Sequence, residues 1–128
     1  MYSLEINGKN YPLKFGFDFM RKMNKKLVRK DEGTGKDEEN GLEYVIAKIM
    51  DHDIETLVDV ILTANATEDD KISKSELIEW IENPETDIDE VFKEVDDFFG
   101  EANCTKSAHR NVMILVEQMA VEKLNEEA

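Results

Sequence analysis

The residues with the most chemical potential lie between Asn65 and Glu76. Setting Ile72 at the eighth position of an EF-hand calcium loop puts Asn65, Thr67 and Asp69 at the first, third and fifth positions. Ser73 then falls at the ninth and Glu76 at the twelfth. Asp70 stands at the sixth position, where the sharp turn needs glycine, and only Asp69 and Glu76 bring carboxylates. Ser73 and Glu76 also make an S-x-x-E capping box, which needs no metal. The lone cysteine, Cys104, and His109 are five residues apart, on different faces of any helix that holds both. A Cys/His nucleophile pair is assembled across a fold, and a half-buried cysteine near a helix start is the commoner arrangement. His52 between Asp51 and Asp53 resembles a metal-binding fragment, but three adjacent side chains cannot face one ion from a helix. A capping role for one of the aspartates is the expectation there. Gly33 and Gly35 sit in an acidic stretch that repels phosphate. Acids are so abundant that no general acid/base pair stands out. The expectation is a non-catalytic protein with no metal site and no cofactor, and with no partner-binding residue assigned.

The elements that would position these residues follow from turn chemistry and periodicity. Tyr2, Leu4 and Ile6 alternate with polar residues, as do Tyr11, Leu13 and Phe15, and Asn7-Gly8 joins the two runs. Both turn residues tolerate positive φ, so this is a β-hairpin, with Pro12 marking an edge. An amphipathic basic helix is expected over 17–30, with Met20, Met23 and Leu27 on one face and Lys22, Lys25, Lys26 and Arg29 on another. Residues 30–41 contain no apolar side chain and three glycines, and read as a mobile acidic loop. Two periodic segments follow: Leu42, Val45, Ile46, Ile49, Met50 and then Ile54, Leu57, Val58, Ile61, Leu62. The Ser73 box opens a short helix that Pro84 ends. Asp87 and Glu90 open the next, which carries Ile88, Val91, Phe92, Val95 and Phe99 and stops near Gly100. A last helix over about 105–125, capped by Asn103 or Thr105, has a stripe of Ala108, Val112, Leu115, Val116, Met119 and Leu124.

The fold class expected is therefore α+β, mainly α: an N-terminal hairpin followed by about six helices in a small bundle. At 128 residues this is one domain, 1–128. Within it, 1–30 is a basic hairpin–helix unit, 31–41 a mobile loop and 42–128 an acidic helical unit. Residues 1–30 hold eight basic and two acidic residues, a balance of +6. The remaining 98 hold eight basic and 28 acidic residues, a balance of −20, so the chain carries −14. That charge argues against a nucleic-acid partner. No apolar run approaches a membrane span, and the N-terminus matches neither a signal nor a transit peptide. A soluble intracellular interaction protein is the expectation. The opposed charges of the two units invite self-association.

The chain also resembles the tail assembly chaperones of long-tailed, siphovirus-type bacteriophages and prophages of Gram-positive bacteria. The likeness begins at Leu4-Glu5-Ile6-Asn7-Gly8-Lys9 and Tyr11-Pro12-Leu13-Lys14-Phe15-Gly16, followed by a basic helix. It continues through Gly41-Leu42-Glu43-Tyr44, Leu57-Val58-Asp59-Val60-Ile61, Ala64-Asn65-Ala66-Thr67 and Ile78-Glu79-Trp80-Ile81-Glu82. It closes at Asp87-Ile88-Asp89-Glu90-Val91-Phe92 and Asn103-Cys104-Thr105-Lys106. The resemblance implies a non-catalytic protein of the host cytoplasm, absent from the mature virion. Such a protein binds the tail tape-measure protein, keeps it soluble and helps recruit the major tail (tube) protein around it. A calcium-responsive EF-hand-like module and a small acidic adaptor or regulator are the alternative readings.

Overall fold

A computed structural model describes residues 2–127. Strands β1 (Tyr2–Ile6) and β2 (Lys9–Leu13) pair antiparallel, with Leu4 opposite Tyr11. Asn7 (φ 54°) and Gly8 (φ 79°) make the turn, both in the left-handed region that Asn and Gly adopt at least cost. Leu4, Ile6, Tyr11 and Leu13 are buried, so one face of the hairpin is committed to the core. The six helices are α1 (Phe17–Asn24), α2 (Gly41–Met50), α3 (Ile54–Asn65), α4 (Lys74–Glu82), α5 (Ile88–Glu101) and α6 (Lys106–Glu127). The fold is thus α+β and mainly α, as the patterning implied.

Three of the N-caps come from residues the sequence nominated. Asp53 accepts from the Thr56 backbone N–H, Ser73 from Glu76 and Asp87 from Glu90. These bonds satisfy backbone donors that the first helical turn leaves without partners. Phe15, just past β2, joins the layers. Its ring lies 5.0 Å from Phe19 and 5.4 Å from Phe99, both edge-to-face, so hairpin, α1 and α5 meet at one aromatic cluster.

The expected helix over 17–30 is corrected. Helix α1 ends at Asn24, and the chain returns as strand β3 (Val28–Lys30). The expected loop 31–41 holds the turn and the return strand β4 (Asp37–Glu39) of a second hairpin. The register sets Lys30 opposite Asp37, an opposite-charge cross-strand pair of the kind that favours such pairing. Asp31 shapes the turn by accepting the Gly33 N–H at 2.8 Å. That bond holds its carboxyl below the usual range. Asn24 stops α1 with its side chain turned away to accept the Leu42 N–H of α2.

Candidate docking surface

Helix α6 is held to the body only along its first half. Thr105, fully buried, donates its hydroxyl to the Phe99 carbonyl at 2.7 Å and so closes the α5–α6 turn, while its carbonyl accepts the His109 N–H at 2.9 Å at the start of α6. His109 pairs through Nε2 with Asp96 at 3.0 Å. A side chain at Gly100 would press on the His109 ring at 3.3 Å, so glycine lets the two helices approach. Ala108 packs against the core and Val112 is buried within it. Asn111 donates to Glu43 of α2 at 3.2 Å.

Past Val112 the helix keeps its apolar character, but its large apolar side chains are left exposed. Ile114, Leu115, Val116, Met119, Val121 and Leu124 are all exposed, Met119 and Leu124 to 67% and 66%. Of the stripe read from the sequence, only Ala108 and Val112 join the core. Leu115, Val116 and Met119 instead form one wall of a groove of about 310 Å³. The opposite wall is α2, with Tyr44 and Ala47, and Leu27 closes one end.

Two close approaches build that groove. A side chain at Gly41 would lie 1.8 Å from the Met23 carbonyl oxygen, so only glycine lets α2 start against the end of α1. Asn40 donates its backbone N–H to the Leu27 carbonyl at 2.9 Å, which brings the root of the second hairpin to the groove. The result is a shallow apolar slot beside an exposed helix, the shape that receives an amphipathic helix by its apolar face.

The Asn65–Glu76 segment has a different role. The Asn65 side chain is buried, donates to the Pro12 and Asp70 carbonyls at 2.9 and 2.8 Å and accepts from Ile72 N–H at 2.9 Å. Ser73 caps α4, and Glu76 accepts from the Tyr11 hydroxyl at 3.3 Å. Burial and the Glu76 carboxylate push the Tyr11 phenol above its usual range. Three of the five side chains that an EF-hand would use are therefore committed elsewhere: Asn65 and Glu76 to the hairpin, and Ser73 to the cap of α4. No cluster of three or more potential metal ligands occurs among the described residues.

The other candidates separate likewise. His109 faces Asp96, while Cys104 lies half-buried in the α5–α6 turn, beside a groove lined by Tyr2 and Phe15. His52 adopts φ 58° between α2 and α3, stacks on Phe92 at 4.5 Å and pairs with Asp89 at 2.9 Å. It joins the α2–α3 turn to α5, while Asp53 caps α3. Bonds from the Thr56 hydroxyl and N–H hold the Asp53 carboxyl below the usual range. On α5, desolvation and then Glu90 and Asp97 push Glu94 upward.

The model of the phage tail assembly chaperone protein family, TAC, matches residues 3–113. This chain belongs to that family. No curated protein and no solved structure matches it. The tail assembly chaperone match covers the body, the α2 wall of the groove and the anchored first turns of α6. It stops at Met113, where the exposed apolar stretch of α6 begins. Among the described residues no helix of this chaperone is long and apolar enough to cross a membrane.

Proposed function

We propose that the chain is a non-catalytic tail assembly chaperone that binds the tape-measure protein of its own long-tailed phage in the α2/α6 groove. It keeps that client soluble in the host cytoplasm, presents it to the tube protein and leaves before the virion is complete. The observation that carries this reading is the exposed apolar half of α6 beside Tyr44 and Ala47. Monomeric soluble proteins seldom leave so continuous an apolar surface uncovered. A long helical client offers apolar stripes of the matching kind, and full burial of a Leu or Met side chain is worth about 1.5–3 kcal/mol. The charge of −14 keeps the complex soluble by self-repulsion. Because the family match ends at Met113, the outer groove wall is the part free to be tailored to one client.

The test is co-expression with the tape-measure protein of the same genome. Soluble tape-measure protein should co-purify with the native chain and be lost to the pellet with the Leu115→Gln/Met119→Gln double variant. Equal recovery with both chains would remove the groove from the proposal.

A further inference from the structure

The groove accounts for one side of α6 and leaves the other apolar side unexplained. Met113 to Val116 are four consecutive apolar residues, and at about 100° per residue they point all round the helix. A partner lying against Leu115, Val116 and Met119 cannot also cover Ile114, Val121 and Leu124.

Those three belong to a second line of residues. Ser107, Arg110, Ile114, Glu117, Val121 and Leu124 recur at alternating spacings of three and four, the repeat of a coiled-coil seam. All six are exposed. They lie about half a turn round the helix from Thr105, Ala108 and Val112, so the chain's own body does not obstruct them. The seam holds one cation and one anion, Arg110 and Glu117. Neither takes part in an ion pair among the described residues.

We propose that this face of α6 is an interface for a second copy of the chain, with the two helices antiparallel about a two-fold axis. Charge selects the orientation. A parallel pair in register would set Arg110 against the partner's Arg110 and Glu117 against the partner's Glu117, like against like. The antiparallel register that layers Ile114 on the partner's Glu117 also layers Arg110 on the partner's Val121 and Ser107 on the partner's Leu124. Arg110 is then one layer, about 6 Å along the axis, from the partner's Glu117, within reach of its long side chain. The two-fold repeats the pairing, so both charges in each seam are matched and all three apolar residues are covered. This is an isologous contact, which closes at two copies. It leaves the α2/α6 groove of each copy free, so it stands or falls independently of client binding.

The test is sedimentation velocity of the full chain over about 1–200 µM, because a contact between two helices of this length falls in the small, weak class of interface. A concentration-dependent dimer is expected. Arg110→Glu alone and Glu117→Arg alone should each weaken it about tenfold or more, since each sets like charges together. The Arg110→Glu/Glu117→Arg double swap should return it to within about threefold of the native chain, because the antiparallel pairing is restored. Ile114→Asp should abolish it, because it sets an acid against the partner's Glu117. All three positions are exposed, and circular dichroism of each variant separates lost pairing from lost folding. A native chain monomeric across the range overturns the proposal. So does a double swap no better than the single variants, or a dimer indifferent to both.

Discussion

Helices α5 and α6 follow one another across a short turn, both are rich in apolar residues, and they use them in opposite ways. In α5, Val91, Phe92, Val95 and Phe99 fall on one stripe and are buried, while Asp89, Glu90 and Asp97 take the outer face. In α6 the apolar residues run round the helix, and beyond Val112 they stay exposed. Apolar content therefore does not decide burial; its angular distribution does. One stripe can be covered by one body, but an all-round apolar helix needs partners on several sides. The body of this chain offers α6 one side only, through α2 and α5. The remainder is available to other molecules, which is what a chaperone of assembly requires.

That contrast is broken most directly at Phe99. The side chain is fully buried and touches the Phe15 and Phe19 rings. Phe99→Ala should cost about 4 kcal/mol in equilibrium urea unfolding, the transfer loss plus the cavity left behind. A loss below about 1 kcal/mol would mean that the body is as loosely satisfied as α6, and the comparison would lose its basis.

Asn65 sharpens it from the polar side. Its three bonds hold the hairpin, the α3–α4 loop and the end of α3 together. Asn65→Ala would leave the Pro12 and Asp70 carbonyls and the Ile72 N–H without these partners. The expected cost is about 3 kcal/mol, since groups orphaned in the interior lose their full desolvation energy. Millimolar calcium should leave the melting temperature of the native chain unmoved. A calcium-dependent rise would show that the loop opens to bind metal despite these bonds.

The body was largely legible before any coordinates. Asn7-Gly8 marks the first hairpin, and the Asp51/Asp53 pair, Ser73 and Asp87 mark three helix starts, because each rule is local; the structure selects Asp53 from the pair. Lys22, Lys25, Lys26 and Arg29 keep helical spacing, so the sequence alone carries α1 past its true end at Asn24. What stops the helix is Asn24 reaching to Leu42, a contact that spacing does not contain. The second hairpin escaped because it has no apolar alternation. Its available signal was a basic Val28-Arg29-Lys30 run, a turn with Gly33 and Gly35, and an acidic Asp37-Glu38-Glu39 run. The Gly41 approach to Met23 left no local trace at all. The apolar stripe of α6 was read, but how much of it the body would cover depends on where Val112 docks. That is a tertiary fact, so no binding residue could be named.

The smallest stability effect is expected where the functional effect is largest. Leu115 and Met119 are 52% and 67% exposed, so polar substitution there removes little buried surface and leaves no closed cavity. Leu, Met and Gln also have similar helix propensities, so Leu115→Gln and Met119→Gln should not fray the helix. Each should shift unfolding free energy by less than about 0.5 kcal/mol, as exposed sites generally do. The same two changes together should lose the tape-measure protein from the soluble fraction. A fall in stability above about 1 kcal/mol at either site would place that side chain in the working core of the free chain. The groove would then be a flaw in packing rather than a surface kept open, and the contrast between α5 and α6 would shrink to a difference of degree.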